Sequence, residues 1–221
     1  MIDGGQAGSE CPHDECRRRL VPSNSAANFV NPALAVVRGV ERRVLDAGKS
    51  VLEFGAGNLR NALYVLSSVP GVRYYAFEIP QTVARFSDHY AQFREAGGHL
   101  LDEAYLDHEF DCVICTFVLE TICPESRRLH CLFSLAAVLG EKGALVASFR
   151  GHTGVRGTTY DECPAGEGFV TANRTFVRPH SVSEVNELLC EGGFGSVELL
   201  QKYRVDRPEN IHVLARVGRE V

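Results

Sequence analysis

From Ser50 onward the chain alternates short apolar runs with segments whose apolar residues recur at helical spacing, and this alternation constrains the fold most. SVLEFG reads as a strand, and Leu59, Ala62, Leu63 and Leu66 follow with helical period. VRYYAFE is a second strand, after which Pro80 opens a helix with Val83, Phe86, Tyr90 and Phe93 on one face. HLL is a weak third strand. FDCVICTF is a fourth, apolar on both faces as a central parallel strand requires. Pro124 starts a helix carrying Leu129, Leu132, Phe133, Ala136 and Leu139, ended by Gly140, and GALVASF is the fifth strand. Strands joined through helices must run parallel with right-handed crossovers. Ser181 and Glu184 form a capping-box pattern ahead of Val185, Leu188 and Leu189. The last two runs, SVELLQKYRV and NIHVLARV, are joined only by Asp206 to Glu209, so they pair as a hairpin. Asn31-Pro32 reads as an N-cap and first helical residue, opening a helix with Leu34, Val37, Val40, Val44 and Leu45 on one face and Gly48 at its end. The expected fold is α/β: a doubly wound sheet of seven strands, mostly parallel, with an antiparallel C-terminal hairpin edge.

A chain of 221 residues suits one such domain. Residues 1–27 read as an N-terminal arm, 28–221 as a single domain, and 150–180 as an insertion or lid on the substrate side. The net charge of -5 makes nucleic acid an unlikely partner, since no basic stripe is present to neutralise phosphates. No apolar run reaches the roughly 20 residues that span a bilayer, so no membrane is expected. The N-terminus lacks a secretory pattern and the eight cysteines are scattered, several within apolar runs. Both features predict reduced thiols and a cytoplasmic setting. Cys112 and Cys115 form a CxxC, but on a strand residues three apart face opposite ways, which rejects a redox pair. The CPHDEC run lacks the second ligand pair of a zinc site, so no metal is expected.

The chemistry concentrates in VLEFGAGNLRNA, residues 51–62. An acidic residue ends the strand, and Gly55 and Gly57 occupy the turn into the next helix, where glycine lets backbone approach a ligand. The first βα turn of a doubly wound sheet is a nucleotide site. Glu78 ends the second strand 21 residues past Gly57, close to the spacing of a carboxylate that holds ribose hydroxyls. Together these point to an adenosine-bearing cofactor. A dinucleotide fits poorly, because GAGNLR places Arg60 where GxGxxG needs its third glycine.

Glu53-x-Gly55-x-Gly57 resembles motif I of the class I S-adenosylmethionine (SAM)-dependent methyltransferases. FDCVICTFVLE in the motif IV position, LGEKGALVAS and GGFGSVELL resemble the same family in order and spacing, from about Val51 to Val217. One departure is Leu59, where motif I usually carries a third glycine. The resemblance implies a Rossmann-like fold, SAM as cofactor with S-adenosylhomocysteine (SAH) as product, and O- or N-methylation of a small-molecule metabolite. It implies that Glu53, with Gly55, Ala56 and Gly57, holds the amino end of SAM. Glu78, followed by Ile79, takes the ribose, and residues near Leu101, Asp102 and Glu103 flank the adenine. Thr116, Phe117 and Val118 line the floor beneath the sulfonium, with Phe117 a cation–π candidate. Other readings stay open: a non-methylating SAM enzyme, a protein or RNA methyltransferase, a catalytically silent SAM-binding subunit, and assembly as a homodimer.

The polar, glycine-rich segment RGHTGVRGTTYDECPAGEGFVTANRTFVRPH follows the fifth strand, where long irregular segments tend to bind substrate. GFVTANRTFVRP suits a hairpin with Ala172, Asn173 and Arg174 at its tip. His152 is the favoured general base, with Tyr160 a further catalytic candidate. Arg156 and Arg178 suit a substrate carboxylate or phosphate. Glu120 either faces the substrate or caps the helix at Pro124.

Overall fold

The computed structural model of the chain describes residues 31–102, 106–155, 160–162, 167–171, 175–201 and 208–218. Its centre is a seven-stranded sheet in the order β3-β2-β1-β4-β5-β10-β9. The strands are β1 (Ser50–Phe54), β2 (Arg73–Phe77), β3 (His99–Leu101), β4 (Phe110–Thr116), β5 (Leu139–Arg150), β9 (Phe194–Leu199) and β10 (Asn210–Val217). The first five are parallel. β10 is antiparallel to both β5 and β9, so β10 alone is inverted and lies one strand in from the edge. The seven-stranded, mostly parallel α/β fold expected from the sequence is therefore present.

Each face of the sheet buries its own apolar layer. One face packs α1 (Leu34–Glu41), α2 (Arg60–Ser68) and α4 (Ser87–Glu95) on Val51, Cys112, Ile114 and Val146. The other packs α5 (Glu125–Ala137) and α6 (Val182–Glu191) on Leu52, Val113, Cys115 and Leu145. Cys112 and Cys115 thus lie on opposite faces, as the strand period demands. The capping box of α6 is formed by Ser181 and Glu184.

Several boundaries differ from the sequence reading. α1 starts at Leu34, after Pro32, and ends at Glu41, well before Gly48. Its fully buried residues are Ala35, Val36 and Gly39, with Val40 packed partly buried against the same core, while Leu34 and Val37 are only partly buried. Small side chains bring the helix close to the sheet: a Cβ on Gly39 would sit 3.6 Å from Val146 Cγ2 on β5 and 3.0 Å from Leu45 Cδ1. The helix opened by Pro80 divides at Phe86 into α3 (Pro80–Arg85) and α4, while the apolar period runs on across the break. Leu139 and Gly140 already belong to β5, and Phe133 is exposed on α5. SVELLQKYRV is strand only as far as Leu199, and its residues 202–207 lie outside the described residues.

A second sheet of three short strands, β6 (Tyr160–Glu162), β7 (Phe169–Thr171) and β8 (Phe176–Val177), occupies the segment after β5. β7 and β8 form the expected hairpin, and its tip lies outside the described residues. Glu167 ties this segment down: its carboxylate accepts from the Glu125 N–H at 2.8 Å and from fully buried Arg128 at 3.2 Å. The N-terminus of α5 is therefore capped by Glu167 and not by Glu120.

Candidate active site

The strand order reverses between β1 and β4, and the carboxyl ends of these strands open a crevice there. The turn from β1 to α2 forms its inner wall. Gly55 has φ +73, and a Cβ there would meet Val118 Cγ2 at 2.5 Å, so only glycine fits. Gly57 also has positive φ. Leu59, at the position of the missing third glycine, adopts φ 62 and ψ 19. It keeps the left-handed conformation that glycine would supply, and its side chain is fully buried.

Five backbone donors of this turn are spent within the protein. Gly55 N and Ala56 N both donate to Phe77 O, at 2.9 and 3.3 Å, and Leu59 N donates to Ala56 O. Gly57 N donates to Glu78 Oε2 at 2.7 Å, and Arg60 N to Asn58 Oδ1 at 3.4 Å. Glu78 Oε1 accepts from Ile79 N at 2.8 Å. The carboxylate thus joins the end of β2 to the glycine turn and faces the crevice with two lone-pair positions beyond those two bonds.

Behind the turn a polar row crosses the sheet on one face. Glu53 is buried and accepts from Asn61 Nδ2 at 2.7 Å and Tyr74 OH at 2.9 Å. Burial pushes its carboxyl up to about 7 against those two bonds. Asn61 also donates to Thr116 Oγ1, and its Oδ1 receives the Ala33 N–H ahead of α1. Thr116 pairs in register with Ser148, and Ser148 with His212. Ser148 Oγ lies 2.8 Å from His212 Nδ1, and burial lowers the His212 imidazole to about 4, leaving it neutral near pH 7. Phe117 follows Thr116 with φ 60, its ring edge-on to His212 at 6.3 Å. The Arg60 guanidinium stands over the Phe117 ring at 5.9 Å, so a protein cation already sits over this ring.

The crevice is a cavity of about 590 Å³. Glu53, Gly55, Ala56, Gly57, Glu78, Ile79, Thr116, Phe117 and Val118 all line it. Of the residues expected on the substrate side, His152, Arg178 and Glu120 are not among the described lining residues. His152 is half exposed, with Nε2 3.5 Å from Glu184 Oε2, and is not among the described lining residues. Arg178 is engaged elsewhere, donating to Glu167 O at 2.9 Å and Glu184 Oε1 at 3.0 Å. Glu120 is buried in a 3₁₀ turn, where burial pushes its carboxyl up to about 7. Its Oε2 has no hydrogen-bond partner, and the residue does not line the cavity. Tyr160 lies on β6, paired with Thr171, and Arg156 lies outside the described residues.

The sequence reading missed Arg60, Asn61, Arg150 and His212, which line the cavity, and Thr175 and Phe176, which form its wall from the small sheet. A signal existed for His212. The second strand of a terminal hairpin runs opposite to its parallel neighbours, so its first residues arrive at the carboxyl edge where ligands bind.

No protein-family model matches the sequence, and no curated protein matches it. Solved structures do match. The CcbJ methyltransferase from Streptomyces caelestis aligns with a TM-score of 0.65 at 15% identity, over 90% of this chain and 94% of its own. The pyocyanin biosynthetic protein PhzM aligns at 0.57 and 18%, but the chain spans only 55% of its length. A Burkholderia thailandensis 1,6-didemethyltoxoflavin-N1-methyltransferase, solved with 1,6-didemethyltoxoflavin and SAH, aligns at 0.57 and 16%, over 84% of this chain and 76% of its own. The chain has the Rossmann-like fold of the class I SAM-dependent methyltransferases.

Proposed function

We propose that this chain is a SAM-dependent methyltransferase acting on a small-molecule metabolite at oxygen or nitrogen, with SAH as its product. The observation that carries the reading is the Glu78 carboxylate, held at the strand end by Gly57 N and Ile79 N and open to the crevice. This suits ribose hydroxyls. A pyrophosphate needs free backbone N–H groups at the turn, and those of Gly55, Ala56, Gly57, Leu59 and Arg60 are committed. The cofactor residues expected from the sequence would hold SAM along the β1–α2 turn, and SAM supplies an already activated methyl group.

The chain's own task is then to orient the acceptor and exclude water. Phe117, Ile122 and Phe176 offer apolar walls, while His212 and Arg150 offer polar groups on the acceptor side. In the tautomer that donates Nδ1–H to Ser148 Oγ, neutral His212 would accept at Nε2 a hydrogen bond from an acceptor O–H or N–H and so aim its lone pair. The segment 150–180 would act as the acceptor-side wall. Among the described residues no helix is long and apolar enough to cross a membrane. The buried thiols of Cys112 and Cys115, both pushed up by burial, suit the reducing cytoplasm.

Calorimetric titration with SAM, SAH and NAD tests the proposal. Binding of SAM and SAH without NAD is expected, and absence of both would overturn it. One of the aligned structures is a 1,6-didemethyltoxoflavin-N1-methyltransferase, which supports screening small metabolites for methylated product once binding is established.

A further inference from the structure

We propose that Arg128 is a positioning residue for the acceptor-side wall: one buried guanidinium fastens the β7–β8 hairpin to the turn that carries Ile122, and so sets the width of the cavity at that end. The inference deepens the proposed SAM reading and rests on it only in calling that end the acceptor side. The side chain of Arg128 leaves α5 with no exposure to solvent. Its Nη1 donates to Ile122 O at 2.6 Å, and its Nη2 donates to Glu125 and Glu167, each at 3.2 Å. Ile122 lines the cavity. Glu167 stands two residues before β7, and its carbonyl accepts from Arg178 Nη1, just past β8, at 2.9 Å. Both ends of the hairpin therefore meet at Glu167, and Glu167 is fastened to Arg128. The hairpin's share of the cavity is Thr175 and buried Phe176. One cation thus holds two segments of the wall that are far apart in sequence.

The residue type suits this task. A guanidinium keeps its charge on burial, and its planar fork serves a carbonyl and two carboxylates in different directions. Burying such a pair is a weak source of net stability, because both charges lose their hydration. An apolar residue would fill the same space at less cost. What the pairing adds is direction, since the hairpin can dock only where the Glu167 carboxylate reaches the fork. The charge is felt across the joint: burial first, and then the Arg128 charge, lower the His180 imidazole to about 4. Arg178 carries the fastening on to α6 through Glu184 at 3.0 Å, and its N–H donates to Glu120 O at 2.8 Å.

The test uses the full chain, with amide hydrogen exchange read residue by residue and SAH affinity read by calorimetry. In Arg128→Met the amides of Thr171, which bonds Thr175 O, and Arg178, which bonds Glu120 O, should exchange about 10-fold faster or more. The amides of Gly55 and Gly57 should keep their rates, and SAH affinity should stay within about 2-fold. Arg128→Lys, which keeps the charge, should recover part of the protection. Glu167→Gln removes the charge at the other end, should show the same local loss in weaker form, and serves if Arg128→Met does not fold. The double variant should exchange no faster than Arg128→Met alone, because both changes break one link. Unchanged exchange at Thr171 and Arg178 would overturn the inference. So would acceleration spread evenly over the chain, or additive effects of the two substitutions, since either would mark Arg128 as general support for the fold. If the unmodified chain fails to bind SAH, the SAM reading fails by itself, and the local exchange still decides whether Arg128 sets this wall.

Discussion

Leu59 sets two stability effects against each other, and their balance can be worked out from the structure. Its φ of 62 and ψ of 19 are left-handed, which costs a residue bearing a Cβ roughly 1–2 kcal/mol. Its side chain is fully buried against the face that carries Ala62 and Val65. Leu59→Ala keeps the backbone cost and loses the packing, so a destabilisation of about 3–5 kcal/mol is expected. Leu59→Gly loses the same packing but relieves the strained backbone, while the freer unfolded chain returns about 0.5–1 kcal/mol of cost. The expected order is therefore inverted from that in a helix: the glycine variant should be the more stable by about 1 kcal/mol. Urea denaturation of both variants, compared at equal m-value, reads the difference directly. If alanine is the more stable by a similar margin, the left-handed cost is not present and the reasoning about this turn is wrong.

Other predictions follow from the site and from buried titrating groups. Gly55→Ala places a Cβ against Val118 at a positive φ and should weaken SAH binding more than 10-fold. The double variant with Val118→Ala should recover only part of that, read by calorimetry. Glu78→Ala should weaken SAH by about 1.5–3 kcal/mol, whereas unchanged affinity in a folded variant would remove Glu78 as the ribose ligand. Glu53 and Glu120 are raised from 4.5 to about 7 by burial, so each costs stability as pH climbs through that window. His180 and His212 are lowered from 6.5 to about 4, so each costs stability as pH falls through nearly the same window. The two pairs oppose each other, and their summed effect should be nearly flat between pH 4.5 and 6.5. Glu120→Gln removes one arm. Its stability relative to the unmodified chain should rise by up to about 3 kcal/mol between pH 4.5 and 7, and a parallel pH profile would refute this.

The sequence by itself determined the sheet and the side of the cavity formed by the β1–α2 turn and the end of β2. Period-2 and period-3.6 patterns are local, so β1 to β5, the α6 capping box and the terminal hairpin were legible from neighbouring residues. The turn residues Gly55 and Gly57 and the strand-end carboxylate Glu78 were legible too, because strand–turn–helix geometry fixes where they fall. Tertiary structure alone decided the side of the cavity formed by β5 and β10. His212 enters the cavity only because β10 inserts antiparallel beside β5, and Ser148 meets it only through that register. Arg178, a residue type suited to anions, instead joins Glu184 and the Glu167 backbone, a pairing no local pattern announces. The small faces of α1 misled for a related reason: period marks which residues are apolar, but the closeness of helix to sheet decides whether Ala35 and Gly39 or Leu34 and Val37 go inside. Short-range geometry is written residue by residue, whereas long-range pairing is settled by which buried groups find partners when the layers close.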